Sequence, residues 1–140
     1  MRALVLAALL AAATPAQAAI DPAFGQWLNA DGMGRVAVGP CPGHAAEACG
    51  AIDWLKDPVG HPTRDLNNPD PALRNRSLVG VLVIRDMKSV GPGRWSGGKL
   101  YDPETGKTYN GRIQALSGDR LQVTGCVLFV CESQTWRRAS

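Results

Sequence analysis

After residue 18 the sequence never sustains a helical pattern for more than about two turns; it alternates instead. In "YNGRIQAL" Tyr109, Gly111, Ile113 and Ala115 share one side, and Asn110, Arg112 and Gln114 the other. In "LQVTGCV" Leu121, Val123, Gly125 and Val127 alternate with Gln122, Thr124 and Cys126. Period two is the signature of a strand with one buried face, and "SGD" at 117–119 joins the two runs as an antiparallel hairpin. The same pattern, punctuated by sixteen Gly and ten Pro, predicts an all-β chain. About eight strands are expected, near residues 24–28, 35–40, 49–55, 78–87, 94–101, 107–116, 120–127 and 131–138.

Within that frame the glycine-rich stretch "WSGGKLYDPETGKTYNG", residues 95–111, reads as a sheet corner. Asp102-Pro103 suits the start of a tight turn, and Gly106 can take the positive φ that ends it. Gly97 and Gly98 inside the strand mark a bulge or bend. A phosphate cradle would need a helix starting after the glycines, and none follows.

The opening "MRALVLAALLAAATPAQAAIDP" has the form of a secretory signal peptide: Arg2, an apolar run over residues 3–13, and Ala16-Gln17-Ala18 as the cleavage stretch. The run is too short for a membrane-spanning helix, which needs about 20 residues. Cleavage after Ala18 leaves residues 19–140 as a single domain, exported to the periplasm or beyond. Losing Arg2 takes the formal charge from +3 to +2, too small a bias to argue for nucleic acid or an anionic membrane.

Four cysteines in an exported chain argue for two disulfides. Cys41–Cys49 and Cys126–Cys131 are favoured because each pair sits across one hairpin. The rival is a metal site, since His44 lies between Cys41 and Cys49, but that spacing matches no common zinc knuckle. No metal or cofactor is expected.

Residues 56–76, "KDPVGHPTRDLNNPDPALRNR", are a long proline-rich connection, expected to be either a lid or an interaction loop. Its polar residues Asp65, Asn68, Asp70, Arg74 and Arg76 can serve a partner or bond one another. Asp70 and Pro71 suit the cap and first position of a short helical turn. The following strand, "SLVGVLVIRDM", is apolar on both faces, so its outer face is covered by the loop or by a partner.

Gly25-x-Trp27 on the first strand, with an Arg at the end of the last, resembles the lipocalin-like barrels. There the Trp closes one end and the Arg lies over it. Arg137 or its neighbour Arg138 fills that role here, and Arg137 is taken as the closing residue with Trp27. Over most of the mature chain, "GQWLNADGMGRVAV", "CGAIDWLKDP", "RDLNNPDPALRNR", "WSGGKLYDPETGKTY" and "SQTWRR" resemble a family of small exported bacterial proteins of unknown function. That family is similar to lipocalins in fold. The resemblance implies an antiparallel up-and-down barrel of about eight strands and brings no activity with it. The Cys41–Cys49 interval is longer than the family pattern, leaving a longer "PGHAAEA" tip.

Two functions follow. A barrel of this size can hold one small apolar or amphipathic ligand, or be filled by its own side chains. Trp54, Trp95, Tyr101 and Tyr109 are the candidate pocket residues in the first case and core in the second. The alternative is an envelope interaction module that uses the 56–76 loop and the 78–87 strand. Catalysis is not expected: the two histidines lie in a hairpin tip and a loop, every Cys is committed to a bridge, and no nucleophile–base pattern occurs.

Overall fold

The computed structural model describes residues 7–13 and 19–139. Arg2 and the cleavage stretch 16–18 of the expected leader lie outside the described residues; residues 7–13 are exposed and carry no helix or strand. The rest is an all-β, closed antiparallel barrel of eight strands in sequence order. The strands are β1 (Gly25–Leu28), β2 (Gly34–Cys41), β3 (His44–Leu55), β4 (Leu82–Gly91), β5 (Arg94–Asp102), β6 (Lys107–Leu116), β7 (Arg120–Val127) and β8 (Val130–Arg138). One turn of 3-10 helix, Pro71–Leu73, interrupts the β3–β4 connection. Asp70 caps it, its side chain accepting from the Ala72 N–H at 3.0 Å.

Two boundaries differ from the sequence reading. β3 begins at His44, not 49, because only Pro42 and Gly43 form the turn; the alanines at 45, 46 and 48 carry no alternation that would reveal a strand. β4 begins at Leu82, not 78. Leu78 to Val81 make a turn closed by the Val81 N–H on the Leu78 carbonyl at 3.0 Å, with Gly80 at φ 102°. An unbroken apolar run has no parity to show where a turn ends and a strand begins.

The interior is filled. Trp27, Ile84, Met87, Ile113 and Leu121 are wholly buried, packed with Val36, Val38, Ile52, Trp95 and Trp136. Glycines on three strands leave the volume these side chains occupy. A Cβ at Gly50 would lie 2.9 Å from Val36 Cγ1 and 3.1 Å from Ile84 Cδ1. At Gly98 it would meet the Arg85 carbonyl and, at 2.7 Å, Met87 Sδ. At Gly111 it would meet Leu100, and Met87 Cε at 3.1 Å. Met87 and Leu100 therefore fill the space that side chains at 98 and 111 would otherwise take.

One end is closed by the segment before β1. Trp27 donates its indole N–H to the Ala23 carbonyl at 2.9 Å, and Phe24 stacks on Trp95 with ring centroids 5.5 Å apart. Asp21 accepts from the Gly93 N–H at 3.1 Å and the Trp95 indole at 3.2 Å. The closing arginine is Arg138, not Arg137. Its guanidinium lies 4.2 Å from the centre of the Trp27 ring and donates to the carbonyls of Phe24 and Pro22. Parity is the reason: Trp27 pairs directly with Arg138, so the two share the inner face, while Arg137 pairs with Leu28 and points outward.

Cys41 is bonded to Cys49 and Cys126 to Cys131. The grouping of Cys41, Cys49 and Asp86 has the residue types of a metal site, but its two sulfurs are joined to each other.

A filled interior makes a sharp prediction. Gly98→Ala pushes a methyl into backbone and should cost about 2–3 kcal/mol. Gly39→Ala, whose Cβ meets nothing within 4 Å, should change stability by less than about 0.5 kcal/mol. Urea unfolding of both variants checks this; equal, small effects would mean the interior has room to yield.

Candidate functional site

The four aromatic residues expected around a pocket do not converge. Trp54 lies on the outer wall, 38% exposed, beside Arg35, whose guanidinium is 6.0 Å from its ring centre. Trp95 is core and part of the closed end. Tyr109 faces Leu100 across β5–β6 on the inner side, with its Cβ 3.4 Å from where a Cβ on Gly125 would sit. Tyr101, the next residue after inward-facing Leu100, points outward.

There Tyr101 meets the 56–76 loop at a wholly buried carboxylate, Asp65. The Tyr101 hydroxyl donates to Asp65 Oδ1. Asn68 Nδ2 and Arg76 Nε each donate to Oδ2 at 2.9 Å, and Arg76 Nη2 lies 2.8 Å from the same oxygen. Two further bonds lie within the loop: Arg74 Nε donates to the Asn68 carbonyl at 2.8 Å, and the Asp70 N–H to Asn68 Oδ1 at 2.8 Å. Asn67 reaches the Glu104 carbonyl at 2.8 Å, tying the loop to the β5–β6 turn. Val83, on the outer side of β4 beside inward Ile84, is buried by the chain's own atoms, so this stretch of wall needs no partner to cover it.

Burial alone would raise the Asp65 pKa, but the donors Tyr101, Asn68 and Arg76, with the Arg76 charge, outweigh it and lower the pKa. Burial and then the Asp65 carboxylate push Tyr101 up to about 12. The cluster is a structural clamp: its acid is ionised, its oxygens are occupied, and no histidine is near enough to bond them. His44 and His61 are both exposed.

An open trough lies elsewhere, on the outer wall of β5–β7. It consists of two adjoining depressions of about 190 and 240 Å³ that share Ser96 and Arg112. The β5 bulge creates it: the pairing register jumps between Trp95 and Gly98, and Gly97, at φ 73°, puts no side chain on the floor. One end holds Val90 and Arg94 with Gln114 and Gln122 in register beside Arg94, the middle Ser96, Arg112 and Thr124, the other end Asn110 and Cys126. Neither Arg94 nor Arg112 forms a salt bridge among the described residues. Sequence reasoning found the bulge but not the trough, because its two cations, on β5 and β6, share a face only once those strands are in register.

A family model described as "Uncharacterized protein conserved in bacteria (DUF2147)" matches residues 25–138. The chain belongs to this family. Every strand of the DUF2147 barrel falls in the matched span, and so do the clamp and the trough. Among solved structures it is similar to protein HP1028 from the human pathogen Helicobacter pylori, described as belonging to the lipocalin family. The two are 26% identical with a TM-score of 0.72, over 84% of this chain and 83% of that one. No curated protein matches the sequence. The fold of this chain is thus lipocalin-like, and its centre is filled by its own side chains.

The clamp predicts an acid-sensitive loop. The folded pKa of Asp65 lies below its unfolded value of about 3.9, so its stabilisation is complete above about pH 5 and is lost as pH falls through the lowered value. Asp65→Asn should cost about 2–3 kcal/mol at neutral pH and flatten the acid limb of stability against pH. Denaturant midpoints measured from about pH 2 to about pH 7 decide it; parallel curves for wild type and variant would refute the role of Asp65.

Proposed function

We propose that the protein is an exported, non-catalytic binding protein whose ligand lies in the outer trough of β5–β7 rather than inside the barrel. The ligand is a small amphipathic molecule with an anionic head. Arg94 and Arg112, without carboxylate partners, carry this reading. A guanidinium presents paired N–H donors that suit carboxylate and phosphate oxygens. Val90 and the flank of Trp95 supply the apolar part of the lining, and Gln114, Gln122 and Ser96 the neutral hydrogen-bonding groups.

Size narrows the class. Each depression is smaller than the roughly 300–1,000 Å³ of sites that enclose drug-sized ligands. The trough suits a head group and the first carbons of a chain, with the remainder in solvent or against another surface. Export rests on the leader-like residues 1–18 and agrees with both sulfur pairs being oxidised. An interaction role for the 56–76 loop has less support, because Asp65, Asn68, Arg74 and Arg76 bond within the loop and to Tyr101.

Titrating the 15N-labelled protein with dodecyl phosphate below its micelle concentration tests the proposal. Amide shifts should cluster at Ser96, Gly97, Arg112 and Thr124, and Arg112→Gln should weaken binding about fivefold or more. Shifts confined to interior residues such as Met87 and Ile113, or no saturable shift, would overturn it.

A further inference from the structure

The sharpest conflict between sequence and local structure is the β7–β8 turn, "CVLFVC", residues 126–131. A two-residue hairpin turn calls for Gly, Asn or Asp, which tolerate positive φ and face water at no apolar cost. Leu128 and Phe129 occupy it instead, and Leu128 sits at φ 53°. A bulky residue is disfavoured in that region, and such strain points to a role beyond folding. The side chains of Val127, Leu128, Phe129 and Val130 are 55%, 85%, 100% and 72% exposed. Directly beneath them Cys126 pairs with Cys131 across the hairpin and is bonded to it. The disulfide fixes the shape of a convex apolar tip that the fold leaves in water.

The surroundings of the tip carry charge of one sign on one side. Strand pairing runs in a row from Arg85 to Lys99, to Asn110, to Cys126 at the base of the tip. One row away Arg112 directs Nη1 to Cys126 Sγ at 3.8 Å. Arg85, Lys99 and Arg112 form no salt bridge among the described residues, and Arg85 Nε is buried without a hydrogen-bond partner. The acid near the tip, Glu132, faces Gly125 on the inner side of the hairpin, away from this row.

We propose that the stapled tip inserts into the interfacial zone of an anionic lipid bilayer, with the outer wall at Arg85, Lys99 and Arg112 against the head groups. The pairing of features is what such binding requires: apolar side chains that leave water, and cations close by that meet anionic lipid. A convex tip exposed on all sides fits a fluid that surrounds it. A rigid turn enters without an ordering cost, which is what the disulfide supplies. The alternative occupant is a second copy pairing along β8, whose edge above Arg137 has no β1 partner. By their pairing with Gly125 and Val123, Glu132 and Gln134 face inward beside that edge, and an inward-pointing charge opposes strand addition. The apolar residues 127–130 line no part of the trough, whereas Arg112 and Cys126 belong to both surfaces, so the inference shares Arg112 with the trough reading and differs from it in the tip.

Residues 19–140 contain every strand and both disulfides, so this segment is used without the apolar leader. It is sedimented with vesicles of phosphatidylcholine containing about one-third phosphatidylglycerol, and with vesicles of phosphatidylcholine alone. The expected result is binding to the anionic vesicles that falls at least about tenfold in L128S/F129S and falls strongly in about 0.5 M NaCl. Lys99→Gln should weaken it about threefold. Arg94→Gln, at the far end of the trough, should leave it unchanged and so separates this proposal from the ligand reading. An unchanged thermal midpoint and intact disulfide mass establish that the tip variant is folded. Absent binding, or equal binding by the tip variant, overturns the inference. So does a dimer that the tip substitutions dissolve, which would make the tip a protein contact.

Discussion

The barrel depends on the contact between Arg138 and Trp27. The seam between β1 and β8 has only two residue pairs, Trp27 with Arg138 and Leu28 with Arg137, whereas β7 and β8 pair along their whole length. Backbone hydrogen bonds alone would close it poorly. The Arg138 guanidinium supplies the rest: it lies on the Trp27 ring, donates to the carbonyls of Pro22 and Phe24, and reaches Asp119 at 3.2 Å. A cation over an indole is worth only about 0.5–2 kcal/mol, more where water is excluded. Its value here is positional, because one side chain joins the first strand, the last strand and the N-terminal cap. Gly25 belongs to the same arrangement, since a Cβ there would meet the Arg138 guanidinium.

From that closed end the remaining properties follow in order. Trp27 and Trp95 fill the base, Met87 and Leu100 fill the middle over Gly98 and Gly111, and little interior is left for a ligand. With the centre filled, the contacts proposed above lie on outer surfaces. Two such surfaces stand out on one side of the barrel, the trough at the β5 bulge and the stapled apolar tip. They are neighbours: Cys126 lines one and anchors the other. The Asp65 clamp pins the long loop beside them to Tyr101 and the β5–β6 turn, so that segment acts as part of the wall.

Much of the fold was legible because period two survives wherever one face is wet, as at Tyr109 to Ala115. Reading failed where that signal vanishes. "LVGVLVI" is apolar at almost every position, so the turn at Leu78 to Val81 looked like strand. "HAAEA" alternates too little to look like strand at all. Arg137 and Arg138 are adjacent and chemically identical, and only the pairing register assigns the inner face to Arg138. The site was harder. Trp54 and Tyr101 were suspected as aromatic residues, but their direction depends on bulges that shift parity between β2 and β5. The turn at residues 128–130 is legible between the two cysteines, but its exposure is not, because an apolar "VLFV" gives no sign that its side chains face water.

A filled interior is what places the proposed binding on the outside of the barrel. The most direct test is methyl NMR under xenon pressure, since xenon enters apolar cavities and perturbs the methyl groups that line them. Unmoved signals are expected for Met87, Leu100, Ile84 and Ile113, with any weak shifts confined to exposed Val127, Leu128 and Val130. Saturable shifts at Met87 or Ile113 would reveal an open interior and return the binding site to the inside of the barrel.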